Sequence, residues 1–259
     1  TLRQGNVVLW LIAINLGIFI LQAFVGMIGF LFMADRAVFE TFYQNYFYAP
    51  SSLSNLLYRP WTVLTYAFFH ADFWHILFNL LYLYWFGRIF QVYHSEKRLL
   101  NLYLLGALVG SAFYILSYNT FPVFEQAKHQ AYLLGASGAV WSIIAAAMAT
   151  NPAYRIRLFI IGSVPLWGIV LFMFGRDLLS FQSNPGGILA HFGGMITGFS
   201  FIGLYRRGYN IIGWMSWPRE RIASWRLSLQ SRRQYSARVE RQANFQRKGE
   251  NRKSSTRPS

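Results

Sequence analysis

The chain has 259 residues, 54% of them hydrophobic and 19% aromatic, with a formal net charge of +15. So apolar a composition excludes an ordinary water-soluble domain of this size. The absence of cysteine excludes a disulfide framework and thiolate chemistry. The charge does not indicate a nucleic-acid binder, because fourteen Lys/Arg against three acidic residues lie from Arg206 onward, in a polar stretch with no recognition motif. We read a membrane domain over 1–206 and a basic, partly disordered cytoplasmic tail over 207–259 that can touch anionic lipid.

Six apolar segments, near 7–33, 73–90, 99–116, 131–149, 158–174 and 188–205, match the length needed to cross a bilayer. The first is too long for a signal-peptide core and has no clear cleavage site, so it reads as a retained span. The connections alternate in charge. Before the tail, Arg3, Arg88, Lys97, Arg98, Arg155 and Arg157 fall on one side, and Arg36, Arg59, Lys128 and Arg176 on the other. The positive-inside rule then puts both termini in the cytoplasm. The long first outer connection, 34–72, carries Phe39, Phe42, Tyr43, Tyr46, Phe47, Tyr48 and Trp61. Aromatic rings favour the headgroup level, so this loop is expected to lie half-sunk in the outer leaflet.

Polar groups inside the fourth and sixth segments call for a reason, since they are costly there. Ser137 stands in Gly135-Ala136-Ser137-Gly138, where the glycines permit a sharp turn and close backbone approach. The apolar run after it is short, so the serine is expected at a submerged helix N-terminus, whose N–H groups can hold an oxyanion. Small residues also pack membrane helices, and that is the plainer role for this tetrapeptide. His191 in Ala190-His191-Phe192-Gly193-Gly194 shifts the balance. Gly194 and Gly198 lie on the same helix face, and together they let another backbone come close. A nucleophile and its base is the reading that unites the two segments.

None of the nine acidic residues falls within an apolar segment as drawn, so the expected arrangement is a Ser–His dyad without a carboxylate. The same absence disfavours aspartyl proteolysis, and there is no H-E-x-x-H for zinc. His75 and Asn79, four apart on one face of the second segment, can complete an oxyanion pocket with the Ser137 N–H. A structural hydrogen-bond pair is the alternative for them. His70 reads as a loop tether. A zinc site from His70, His75 and His191 lacks a helical ligand pattern, so no metal and no cofactor are expected.

The string from His70 through His75 to Asn79, then GASG, then AHFGGMITG, resembles the rhomboid family of intramembrane serine proteases, in that family's order and over residues 6–206. The resemblance implies an all-α membrane protein with a six-transmembrane-helix rhomboid-like bundle. It implies that Ser137 attacks the scissile carbonyl, that His191 serves as base and then acid, and that His75, Asn79 and the Ser137 N–H hold the oxyanion. Gly194 and Gly198 would pack the sixth helix on the fourth, while the fifth helix and the loop 183–187 would form a gate. Substrates would be single-span membrane proteins. Three positions depart from the common pattern: Trp61-Thr62 in place of Trp-Arg, Gln91 in place of Glu, and Trp141 in place of Tyr beneath the histidine ring. Arg59 is near enough to replace the missing arginine.

Two other readings compete. One is a catalytically silent rhomboid-like protein that binds transmembrane helices. The other is a channel or transporter, against which stands the lack of charge in the interior of any segment, Arg88 lying near the end of the second. The sequence shows no organellar presequence, so a bacterial inner membrane is the expected location.

Overall fold

The computed structural model describes residues 7–33, 35–158, 162–209 and 211. The expected tail therefore lies outside the described residues from 212 onward. What is described is mostly helical. Helix α1 (Val7–Leu31) is apolar on every face, yet buries only Val8, Leu11, Asn15 and Gly29. A helix of that kind needs hydrocarbon around it rather than water. The amide nitrogen of its buried Asn15 is engaged: Nδ2 donates to the Leu11 carbonyl at 2.8 Å and to Tyr103 Oη at 3.3 Å.

The first connection folds into its own short elements. Helix α2 (Arg36–Tyr46) starts on Asp35, whose carboxylate accepts from the Ala37 N–H at 2.9 Å, a normal N-cap. Strand β1 (Ala49–Pro50), helices α3 (Leu53–Tyr58) and α4 (Thr62–Thr65), and a 3-10 turn Tyr66–Phe68 follow. Arg59 Nη1 donates to the Asn45 carbonyl and side-chain oxygens at 2.6 and 3.0 Å, and Trp61 Nε1 donates to the Tyr46 carbonyl at 2.8 Å. Arg59 thus anchors the loop whose usual arginine is missing.

Helix α5 (Phe73–Tyr93) is capped by Asp72, and α6 (Glu96–Thr120) by Ser95. The fourth apolar segment does not begin as helix. Strand β2 (Tyr132–Leu133) pairs antiparallel with β1, and helix α7 starts only at Ser137, running to Thr150. Every residue from Gly138 to Ala147 is buried, so α7 is enclosed on all sides, principally by α5, α6 and α9.

The fifth apolar segment differs from expectation. Its first part is a hairpin, β3 (Arg155–Leu158) with β4 (Gly162–Pro165), and helix α8 runs from Leu166 to Leu179. The hairpin consumes the start of the apolar run, so the helix is displaced toward the C-terminus and takes in Arg176 and Asp177. Helix α9 (Pro185–Arg206) opens on Asn184, whose Oδ1 accepts from the Gly187 N–H at 3.1 Å. The expected gating loop 183–187 is therefore mostly the first turn of a helix. Asn and Pro here cap and start α9 rather than make a free loop.

Among the described residues, three helices are long and apolar enough to cross a membrane, namely α1, α6 and α9. Helices α7 and α8 have 14 residues each, roughly 21 Å of rise, and are shorter than a bilayer core.

Candidate active site

Helices α6, α7 and α9 converge at one level through glycine. A Cβ on Gly138 would stand 3.2 Å from the Ala190 carbonyl oxygen, and one on Gly110 would stand 3.1 Å from it. One turn along α9, the space a Gly194 side chain would need is taken by the Gly138 carbonyl. A turn further, Gly198 meets the Ser142 carbonyl and Ala145. The residues flanking His191 thus touch the residue that follows Ser137. Small residues let these backbones meet without hydrophobic bulk between them.

The turn before Ser137 is fixed from three sides. Gly135 has φ +116°, in the left-handed region that favours glycine, and a Cβ there would lie 2.6 Å from His75 Nε2. The Gly135 N–H donates to the Tyr66 carbonyl at 3.0 Å. The Ala136 N–H donates to His70 Nε2 at 3.4 Å, which makes His70 a tether of this turn. The first intrahelical bond of α7 in this turn is from the Val140 N–H to the Ala136 carbonyl, 2.9 Å. The N–H groups of Ser137, Gly138 and Ala139 precede it, as at any helix start.

Ser137, His191, His75, Asn79 and Trp141 line one cavity of about 680 Å³. Trp141, one turn after the serine, lies against the His191 ring at 5.9 Å between centroids and 37° between planes. His75 is held by Asp72, which caps its N–H at 2.9 Å, and its Nδ1 accepts from the Ala71 N–H at 3.4 Å. Its Nε2 is left to face the Ser137 turn. Asn79 is 6% exposed and gives one amide proton to the His75 carbonyl at 2.8 Å, so its second proton remains for the cavity.

Two residues were not legible as part of this site. Tyr66 supports the Ser137 turn through its carbonyl and donates from Oη to the Ala107 carbonyl at 2.8 Å. Asp177 is the larger surprise. Its Oδ2 lies 2.6 Å from His191 Nδ1, and its Oδ1 2.9 Å from Arg176 Nη2. The expectation of a histidine with no acidic partner is therefore corrected. The physical cause is the displaced α8, and Pro165 inside the apolar run was the helix-boundary signal that would have found it.

Over residues 58–208 the chain matches the family model described as Rhomboid domain. It belongs to the rhomboid family. It is also 31% identical over 204 residues to RHOMBOID-like protein 12, mitochondrial, of Arabidopsis thaliana, covering 74% of this chain and 56% of that one. The chain spans little more than half the length of that relative. Rhomboid membership and the apolar helices together make this an integral membrane protein. The mitochondrial relative lends no support to a bacterial inner membrane.

Proposed function

We propose that this rhomboid is an active intramembrane serine endopeptidase that cleaves single-span membrane proteins in or next to their transmembrane segments. The observation that carries the reading is the contact of Gly138 with Ala190 and Gly194, which brings the helix starts bearing Ser137 and His191 to one cavity. His191 takes the Ser137 proton as Oγ attacks the scissile carbonyl. The oxyanion that forms is held by the Ser137 N–H, with His75 and Asn79 as further donors. His191 then gives its proton to the leaving amine, and the acyl-serine is released by water activated by the same base. A transmembrane helix shields its amides in its own hydrogen bonds, so the substrate must unwind locally before attack.

The rest of the notional bundle fits this reading. With α5, α7 and α8 counted as spans beside α1, α6 and α9, six helices cross, the short α7 being enclosed by its neighbours rather than by lipid. The exposed Val38, Phe42, Tyr46, Leu57, Tyr58 and Trp61 are the surface that a loop resting in the outer leaflet would present. The intact Ser137 and His191 count against a silent helix-binding relative.

The test is cleavage of a generic single-span substrate by the detergent-solubilised protein. Wild type should cut, and Ser137→Ala and His191→Ala should not. Undiminished cutting by Ser137→Ala would remove the proposed nucleophile.

A further inference from the structure

We propose that Asp177 is a positioning residue for the His191 base, orienting it toward the cavity it shares with Ser137. This rests on the protease reading above. The Asp177 side chain is 2% exposed and that of His191 10%, and they meet at 2.6 Å. An acid in the last turn of a helix sits at the unfavourable end of the helix dipole. One so deeply buried is also costly unless it is paired. Asp177 is therefore tolerated there only through its partners. Both its oxygens are engaged, Oδ1 by Arg176 and Oδ2 by His191.

The consequence for the base follows from proton inventory. An ionised carboxylate only accepts hydrogen bonds, so Nδ1 of His191 carries the proton and Nε2 keeps its lone pair. That is the tautomer able to take the Ser137 proton. When Nε2 takes it, the imidazolium is stabilised by the adjacent carboxylate, which stays unprotonated throughout. Trp141 holds one face of the ring and Asp177 fixes its rotation. The short turn between α8 and α9 keeps the pair in register: the Asn184 N–H donates to the Ser180 carbonyl at 3.2 Å, and Ser183 Oγ to the same oxygen at 2.8 Å.

The test is a pH titration of His191 by nitrogen NMR on the full-length protein in detergent, run beside kcat and KM for wild type, Asp177→Asn and Asp177→Glu. Other charged or titratable groups face the cavity: Asp72, His75 and Tyr82 from α5 and its cap, Tyr114 and Tyr118 from α6, Tyr132 from β2, and Arg176 from α8. All are retained in every variant, so differences between variants report Asp177. In wild type, neutral His191 should be protonated on Nδ1. Asp177→Asn should lower kcat on the order of a hundredfold or more with little change in KM. It should also move the His191 titration and the acid limb of kcat/KM to lower pH, because the carboxylate favours the charged imidazole. Asp177→Glu should restore part of the rate. Wild-type His191 protonated on Nε2, or an unshifted titration in Asp177→Asn, would overturn the proposal, and the tautomer measurement stands even if that variant does not fold. A wild type that cuts nothing would contradict the protease reading alone, since the titration needs no turnover.

Discussion

Gly194 has no side chain, and the place where one would begin is filled by the carbonyl of Gly138. The contact holds α9 on α7 one turn below His191 and one residue beyond Ser137. Gly194→Ala must push the helices apart and misalign both groups. It should cost about 1–3 kcal/mol of stability and lose most activity, read by thermal unfolding in detergent and by substrate cleavage. A fully active, equally stable variant would mean that the helices have slack at this level.

Asn79 faces the cavity with one amide proton already given to the His75 carbonyl. If the other meets the oxyanion, Asn79→Ala should lower kcat by about 1–3 kcal/mol of transition-state stabilisation with little effect on KM. Titration of active sites with a fluorophosphonate separates this from a folding defect, which would lower the number of labelled sites and leave the turnover per labelled site intact.

Arg59 holds Asn45 through two bonds, on the loop where the common pattern places an arginine three positions later, at Thr62's place rather than before Pro60. Arg59→Ala should loosen the connection between α1 and α5 and cost about 1–2 kcal/mol. Restoring arginine at position 62 is not expected to rescue it, because Thr62 is fully buried and its hydroxyl already donates to the Arg59 carbonyl at 2.6 Å. Thermal unfolding of the two single variants and the double variant decides this.

His70 lies between the 3-10 turn and α5 and is 2% exposed. Burial, with the neighbouring His75 as the second cause, pulls its imidazole down from the ordinary 6.5 to about 3. The unfolded chain therefore binds a proton that the folded one refuses between those two values. Stability from this residue is full above about pH 6.5 and falls as the pH drops, by up to about 1.4 kcal/mol per unit. Protonation would also cost Nε2 its bond from the Ala136 N–H, next to Ser137. In His70→Gln, whose side-chain oxygen can accept that bond, the melting temperature should fall less between about pH 7 and pH 5 than in wild type.

The polar residues of the site were legible where chemistry contradicts its surroundings. Ser137 and His191 stand out because hydroxyl and imidazole are out of place in apolar segments, and the glycines beside them announce close backbones. Helices α1, α6 and α9 were legible because a long apolar run with few charges allows little else. The fifth segment was not, because Ile156 and Val164 suit a strand as well as a helix, and periodicity over so short a run does not separate the two. That ambiguity hid Asp177, whose importance depends on where α8 ends. Tyr66 was hidden for another reason: it acts on the Ser137 turn through its backbone carbonyl, which no side-chain pattern reports.

The claim on which the account depends is that Ser137 is made nucleophilic by His191. Labelling with a fluorophosphonate, followed by mass spectrometry of the modified peptide, tests it without choosing a substrate. The account predicts a covalent adduct on Ser137 in the wild type and strongly reduced labelling after His191→Ala. Labelling of another serine, or equal labelling of Ser137 with the histidine removed, would contradict it.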